Sequence, residues 1–487
     1  MNDALCVRRA VVIAARPMPR PVRIAAALLV LLAVAVPGAS QPTSDSTLPS
    51  PLTLDAALRY AGDHYPTLRE AMEEVAVASA GVLVARTTYL PRIDALWQSN
   101  RGTVNNITGP LLPQSVLPPI SGPPLATMSA SSTWGSAAGV LMSWEPVDFG
   151  QRSASVREAE VAVTRARAGQ ALTRLQVQHT VGVAYLDVLA AREAVRAADA
   201  DAARRQTVMR SACALAEAEL RAGAEAARAT AEHAAAVTRL IQARQALRIA
   251  EIMLGRALGT ETLPEIADGG ALLQHVPLLE GGVSSEARHP LLQWQQASID
   301  LAQARDSVLA SSFRPRMLLQ GSTAARGSGA RFDGRLEGGA SGLWPDRVNW
   351  TAGLQVIVPN LFDVVGIGAR RQAAAAEVRA ARARLDEQRL RLTADQRAAE
   401  ASAAAAREWV QQMPVQLEAA RASELQARAR YDAGLAGMVD VADSQALLAL
   451  TETQDAAARV AVWRALLAQA VAFDAMDTFL ARVRDGQ

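Results

Sequence analysis

Trp350-Thr351-Ala352-Gly353-Leu354-Gln355-Val356-Ile357-Val358 alternates: Trp350, Ala352, Leu354, Val356 and Val358 share one face of an extended chain, and Thr351, Gly353 and Gln355 share the other. A period of two sustained in this way marks a strand with one apolar and one polar side. The pattern recurs upstream. Ile93, Ala95 and Trp97 oppose Asp94, Gln98 and Asn100, and Val140, Met142 and Trp144 oppose Ser143 and Glu145. Strands of about ten residues are long enough, when tilted, to cross an outer-membrane bilayer. Their connections, Gly102 to Trp134 and Gly327 to Asn349, are rich in Gly, Pro and Ser and too long for tight hairpins, as external loops are. Trp97, Trp134, Trp144, Trp344 and Trp350 all fall in these two regions. An interfacial aromatic girdle of Trp97, Trp144 and Trp350 explains that clustering, and the strands of a soluble sandwich are the alternative.

The strand pairs belong to two copies of one plan. Tyr65-Pro66-Thr67-Leu68 recurs as His289-Pro290-Leu291-Leu292, and Leu90-Pro91-Arg92 as Arg314-Pro315-Arg316. Further on, Pro146-Val147-Asp148-Phe149 recurs as Pro359-Asn360-Leu361-Phe362, and Leu220-Arg221-Ala222-Gly223 as Tyr431-Asp432-Ala433-Gly434. Four landmarks in one order imply an internal duplication. Each copy reads as helix, strand, loop, strand, very long helix, tip and returning helix. Thr53 caps a helix expected to run from Leu54 to about Thr88, with Pro91 ending it, and its counterpart starts near Ser284.

Between Gln151 and Ala222 there is no proline, so a continuous helix there would reach about 108 Å. The segment from Gly366 to Ala433 would reach about 102 Å, provided Pro414 only bends it. Helices this long need neighbours along most of their course. Leu240, Leu247 and Leu254 recur at seven on the returning helix, while Val177, Val181, Ala184 and Val188 form a narrow stripe on the outgoing one. Such stripes pack as coiled coils. Composition agrees: 103 of 487 residues are Ala, and aromatics make up only 4%. Long helices at close approach use Ala in this way.

Arg20 and Arg23 precede an unbroken apolar run from Ile24 to Val36, followed by the small exit residues Gly38 and Ser40. This reads as a cleaved secretory signal over residues 1–40, with a membrane anchor as the alternative. Either Met1 or Met18 can be the start. All 50 basic residues are Arg, and five of them sit in the leader. The remainder is slightly acidic, so the pI near 8.8 does not argue for nucleic acid. Cys213 is then the one remaining thiol, expected as a small buried packing residue. No later stretch is apolar enough for a transmembrane helix, so a membrane could be entered only as strands. Four strands cannot close a barrel, and open edges are not tolerated in lipid. Closure needs several chains, and three would supply twelve strands.

At this point the chain resembles the TolC-type outer membrane efflux proteins, the outer membrane factor family. The resemblance is carried by Leu52-Thr53-Leu54-Asp55-Ala56-Ala57-Leu58, the paired Leu-Pro-Arg and Arg-Pro-Arg, the Pro-Val-Asp-Phe-Gly and Pro-Asn-Leu-Phe-Asp exits, and the tips at Gly223 and Gly434. It implies a mainly α fold with β: duplicated coiled-coil hairpins plus four membrane strands per chain, assembled as a homotrimer with a twelve-strand β-barrel on a twelve-helix α-barrel. It further implies an outer-membrane channel of a tripartite efflux or type I export system in a Gram-negative bacterium. The channel is a passive duct whose partners are a periplasmic adaptor (a membrane fusion protein), an inner-membrane pump and outer-membrane lipid. An exported periplasmic coiled-coil scaffold without a barrel is the competing reading. The resulting division is a first repeat over 41–259, an equatorial linker over 260–283, a second repeat over 284–473 and a tail over 474–487.

The resemblance also assigns residues. Tyr431 to Asp443 resembles the tip and aperture segment. Asp440 and Asp443, three apart, lie on one helix face and would place six acids around a trimer axis, the alternative being a plain solvated face. Tyr431 matches a position that holds the tip closed by side-chain hydrogen bonds. The expected basic partner is Ala436 here and the expected acid is Ala229, so the lock is either rewired through Arg228 or looser. Gly223 and Gly434 sit where long helices reverse, each expected in a left-handed turn. With Ala222, Ala224, Ala433 and Leu435 they resemble an adaptor-contact motif, a purely structural turn being the alternative. His64, His179, His233, His275 and His289 show no metal-ligand spacing; His64 and His289 are read as belonging to corresponding helix starts. Neither catalytic residues nor a cofactor or metal site is expected.

Overall fold

The computed structural model describes residues 50–103, 130–262, 264–267, 270–274, 289–331, 335–359 and 364–485, together with Asn105, Leu112, residues 115–117, Pro124, Met128 and Asp333. The leader, Ser284, His275 and the Asn360-Leu361-Phe362 landmark lie outside the described residues.

Thr53 opens α1 (Leu54–His64), its side chain accepting from the Ala56 N–H. The expected continuous helix does not form. Tyr65 takes an extended conformation because the ring of Pro66 crowds the preceding residue, and α2 (Pro66–Thr87) starts anew with proline at its first turn. His64 therefore ends α1, stacked on Tyr60 at 4.3 Å, rather than starting a helix. β1 (Arg92–Thr103) and β2 (Ser132–Val147) follow, so Gly102 and Trp134 lie in strands. Next come α3 (Gln151–Glu217) and α4 (Gly223–Leu258).

A short α5 (Gly270–Gln274) lies in the linker. The second copy supplies α6 (Pro290–Ser311), β3 (Arg316–Ser328), β4 (Arg347–Ile357), α7 (Val364–Asp432) and α8 (Met438–Ala472). The two proline-started helices, α2 and α6, both have 22 residues. Within the expected tail, α9 (Met476–Asp485) is a helix docked on the body of the chain, with Met476, Phe479 and Val483 buried. Pro414 stays inside α7 without ending it.

The 67 residues of α3 make a rod about 100 Å long, and the 69 of α7 one of similar length. No shorter helix could accompany either rod from end to end. Along its strand half α3 is flanked by α2 and α6, and along its tip half by α4 and α8; α7 packs on α6 and α8. The stripe read from the sequence is this seam, with Val177, Val181 and Val188 buried on α3 and Leu240 and Leu254 on α4. Gly182 lets α8 come close, because a Cβ there would sit 2.7 Å from Leu467. Cys213 is half-buried rather than buried.

The largest core is a belt at mid-length, where short elements wrap the rods. Leu52, Leu54 and Leu58, Tyr185 and Leu189, Leu254 and Leu258, Ile266 and Leu272, Trp463, and Phe479 all pack there. Leu52 bridges Ile266 in parallel, joining the chain start to the linker. Trp463, fully buried, donates its indole N–H to the Leu272 carbonyl at 2.9 Å and meets Phe479 edge-on. Arg484 of α9 pairs with Asp55 of α1 at 3.1 Å.

Tyr185 is 1% exposed and donates to the Leu52 carbonyl at 3.2 Å. Burial pushes its phenol up to about 12, against the pull of the Arg192 charge. A folded-state value above the ordinary value of about 10 means that this contribution to stability is intact below pH 10 and is lost as pH rises toward 12. Alkaline titration followed by tyrosinate absorbance should show one tyrosine ionising last, with belt unfolding, and Tyr185→Phe should delete that step. Ionisation of all tyrosines near pH 10 with the fold intact would contradict it.

Candidate functional site

β1, β2, β3 and β4 form one antiparallel sheet in chain order. Its register sorts side chains into two walls. On one face lie the rows Ile93–Met142–Gly321–Ala352, Ala95–Val140–Thr323–Trp350 and Trp97–Ala138–Ala325–Val348, with Trp144–Leu319–Leu354 at the helix-side end. The opposite face carries Asp94–Leu141–Ser322–Thr351, Ser143–Gln320–Gly353 and Gln98–Ala137–Arg326–Arg347. The apolar wall is the exposed one: Ile93, Trp97, Val348, Leu354 and Val356 face outward, and Trp350 is 80% exposed. An apolar surface this extensive marks contact with lipid or with another protein.

Trp144 and Trp134, ten residues apart on β2, stand on that wall near its two ends. At about 3.4 Å per residue and a tilt of about 40°, their separation projects to roughly 26 Å, matching an apolar band of about 25 Å. Trp144 donates its indole N–H to the Tyr89 carbonyl at 3.0 Å, and the Arg101 guanidinium lies 5.7 Å from the Trp134 ring. Trp97 and Trp350 stand between these limits, and Trp344 from the β3–β4 connection meets Trp97 at 5.2 Å. Among the described residues, β1 and β4 each have one side with no strand partner.

At the far end of the rods the two reversals match each other in structure. Glu219 (φ 58) and Gly434 (φ 77) take the left-handed position, closed by Leu220 N–H to Leu215 and Leu435 N–H to Arg430. The returning helices begin four residues later in each case, at Gly223 and Met438. Gly223 is thus the first residue of α4 and not a left-handed turn. The helix-ending bond made by Leu220 fixes the reversal at Glu219 instead. Ala222, Gly223, Ala224, Ala433, Gly434 and Leu435 are all exposed on the tips.

A cluster behind the tips ties the two copies together. Tyr431 is 3% exposed and its hydroxyl donates to Glu225 Oε2 at 3.4 Å. Arg221 lies over its ring at 4.9 Å, donates to its carbonyl at 3.1 Å and pairs with Glu225 at 3.6 Å. Burial and the Glu225 charge push the Tyr431 phenol up, against the Arg221 charge. Ala229, where an acid was expected, is buried with Tyr431, Met438 and Val441 in an apolar cluster. Asp440 and Asp443 are exposed on α8, and Asp440 Oδ2 accepts from the Gly437 N–H at 3.1 Å, capping the helix.

The sequence model of the outer membrane efflux proteins matches residues 58–260 and 283–470, both copies of the plan. The chain belongs to the outer membrane efflux protein family. Its place is therefore the outer membrane, and its task is efflux. Among solved structures it is similar to the CmeC outer membrane channel of Campylobacter jejuni at 15% identity, covering 89% of each chain with a TM-score of 0.69. It is also similar to the open state of the MtrE outer membrane channel of Neisseria gonorrhoeae at 18%, covering 88% of this chain and 94% of that one with a TM-score of 0.67. VceC of Vibrio cholerae aligns at 15% identity over 86% and 95%, with a TM-score of 0.67. These likenesses establish the fold. No curated protein sequence matches the chain.

Sequence reasoning found Tyr431 but missed Arg221 and Glu225, whose one local signal is their i, i+4 spacing across a helix start. Within the chain the cluster runs through Arg221, not through the exposed Arg228. Arg221→Ala removes a cation–π contact and a half-buried ion pair, together about 1–2 kcal/mol. Amide exchange at residues 431–441 should accelerate roughly 5- to 30-fold. Unchanged protection would show that Arg221 does not hold the tip.

Proposed function

We propose that this chain is one third of a passive outer-membrane duct, a homotrimer in which twelve strands close a barrel in the membrane and the rods continue it as a helical tube through the periplasm. One observation carries the reading: a four-stranded sheet with an apolar outer wall, a polar inner wall and two unpaired edges, mounted on rods about 100 Å long. Among the described residues the rods also lack neighbours at their flanks. Val77, Leu83 and Val84 on α2, Ile241, Ile249 and Ile252 on α4, and Leu390, Val415 and Leu425 on α7 are exposed apolar residues on the two sides of the layer. Sister copies would cover both flanks and both strand edges at once.

In that trimer Asp440 and Asp443 set six carboxylates around the periplasmic entrance, where a charged ring attracts cations and keeps the aperture wet. The Tyr431–Arg221–Glu225 cluster holds each tip against its neighbour, and the exposed tip residues 222–224 and 433–435 meet an adaptor. The adaptor joins the duct to an inner-membrane pump, which supplies the energy. The outward tryptophans, Trp97, Trp144 and Trp350 among them, contact lipid.

Membrane fractionation tests this reading: heat-modifiable trimers in the outer membrane support it, and wholly soluble single chains would refute it. In single-channel recordings the Asp440→Ala, Asp443→Ala double variant should assemble and show reduced cation preference. Unchanged selectivity would remove both residues from the aperture.

A further inference from the structure

We propose that a groove beside the mid-length belt binds the peptide-bearing wall glycan of the periplasm, gripping its short peptides by their carboxylates and free amine; the groove's outward aspect rests on the trimer reading above. It has a volume of about 590 Å³ and lies between α3, the start of α6 and the turn from α8 into α9. Leu175, Pro290 and Met476 are buried at its floor. Long polar side chains form its rim.

On α3, Arg167, Gln170, Arg174 and Gln178 follow one another at spacings of three and four, so they share one helix face, with the two arginines two turns, about 10 Å, apart. Asp474 and Asp477 line the groove from the α8–α9 turn, and Gln293 from α6. Among the described residues Arg167 and Arg174 have no ion-pair partner, unlike Arg204 with Glu452 at 2.8 Å and Arg205 with Asp201 at 2.9 Å further along the same rod. The two carboxylates are likewise without a cation. Partial burial and the Asp477 charge hold the Asp474 carboxyl above its ordinary value, against the His289 charge. Asp474 also takes a left-handed conformation (φ 52) at the end of α8, where glycine is the usual choice.

Two arginines and two aspartates held apart in one groove leave it with no net charge. A ligand carrying carboxylates and an amine satisfies both pairs, whereas an ion of one sign satisfies only one. The three glutamine amides, each a donor and an acceptor, suit the peptide groups and hydroxyls between. Location names the ligand. Arg167 to Gln178 lie about 24 to 40 Å beyond Gln151 at the strand end of the rod, in the periplasm. The wall polymer of that space is a polyhydroxylated glycan carrying short peptides with several carboxylates and a free amine. Assembly leaves the groove open, because α3 and α6 are the inner rods of the strand half, and sister copies cover α2 and α7 outside them. The belt helices beside it lie outside the tube, since inside they would fill the bore, so the groove faces the wall.

The test is calorimetric titration of the purified full-length protein with the soluble disaccharide–tetrapeptide unit of a Gram-negative wall. Binding should saturate at one unit per chain and weaken at higher salt. Acetylating the free amine of the unit should weaken binding at least about tenfold, equivalent to about 1.4 kcal/mol. Arg174→Ser with Asp474→Asn should do the same. Asp474→Asn alone, which keeps a residue tolerant of the left-handed turn, should give an intermediate loss. Arg210→Ser, exposed nearer the tip on the same rod, should change nothing. No binding by the wild type, or equal binding by the wild type and the double variant, or by the free and acetylated units, would overturn the proposal. The groove belongs to a single chain, so a protein that binds the unit yet never forms trimers would instead strike the duct reading.

Discussion

Backbone hydrogen bonding at the edges of β1 and β4 is the constraint on which everything else depends. In hydrocarbon each unpaired N–H or C=O costs several kcal/mol, so a sheet with an apolar outer wall cannot remain open in a bilayer. The wall is continuous across all four strands, and its edges lie at the two sides of the layer. Bilayer thickness then sets strand length, and closure sets the need for more than one chain.

The rods follow from a second consequence of length. A helix of 67 or 69 residues in a folded protein draws most of its stability from packing against neighbours, and here each half is supported by a different partner. Alanine keeps the axes close, and the bulky residues concentrate where the rods need bracing, in the mid-length belt around Trp463, Tyr185 and Leu254. The belt is also where the chain start, the linker and α9 meet, so one core secures both copies of the plan.

Much of this was legible in the chain. Alternation at Ile93 to Trp97 and Trp350 to Val356 named the outer wall before any pairing was known, because strand faces depend only on parity. The duplicated prolines announced the repeat, and Thr53 announced a cap. Other features were harder to read. The ring of Pro66 ended at Tyr65 a helix that the apolar spacing had carried through. The first reversal settled at Glu219 because Leu220 reaches back to Leu215, which Gly223 gave no sign of. Tyr431 meets Glu225 across about two hundred residues, and the pairing of Arg326 with Arg347 needs a register that the intervening connection hides.

The most direct measurement is cysteine cross-linking between the two free edges, in a background where Cys213 is replaced by Ser. A cysteine at Ala95 on β1, scanned against cysteines from Ala352 to Val356 on β4, should give disulfide-linked dimers and trimers in the outer membrane at one register and not at its neighbours. A protein that stays a single chain at every pairing would contradict the account, since its edges would then be satisfied without sister copies.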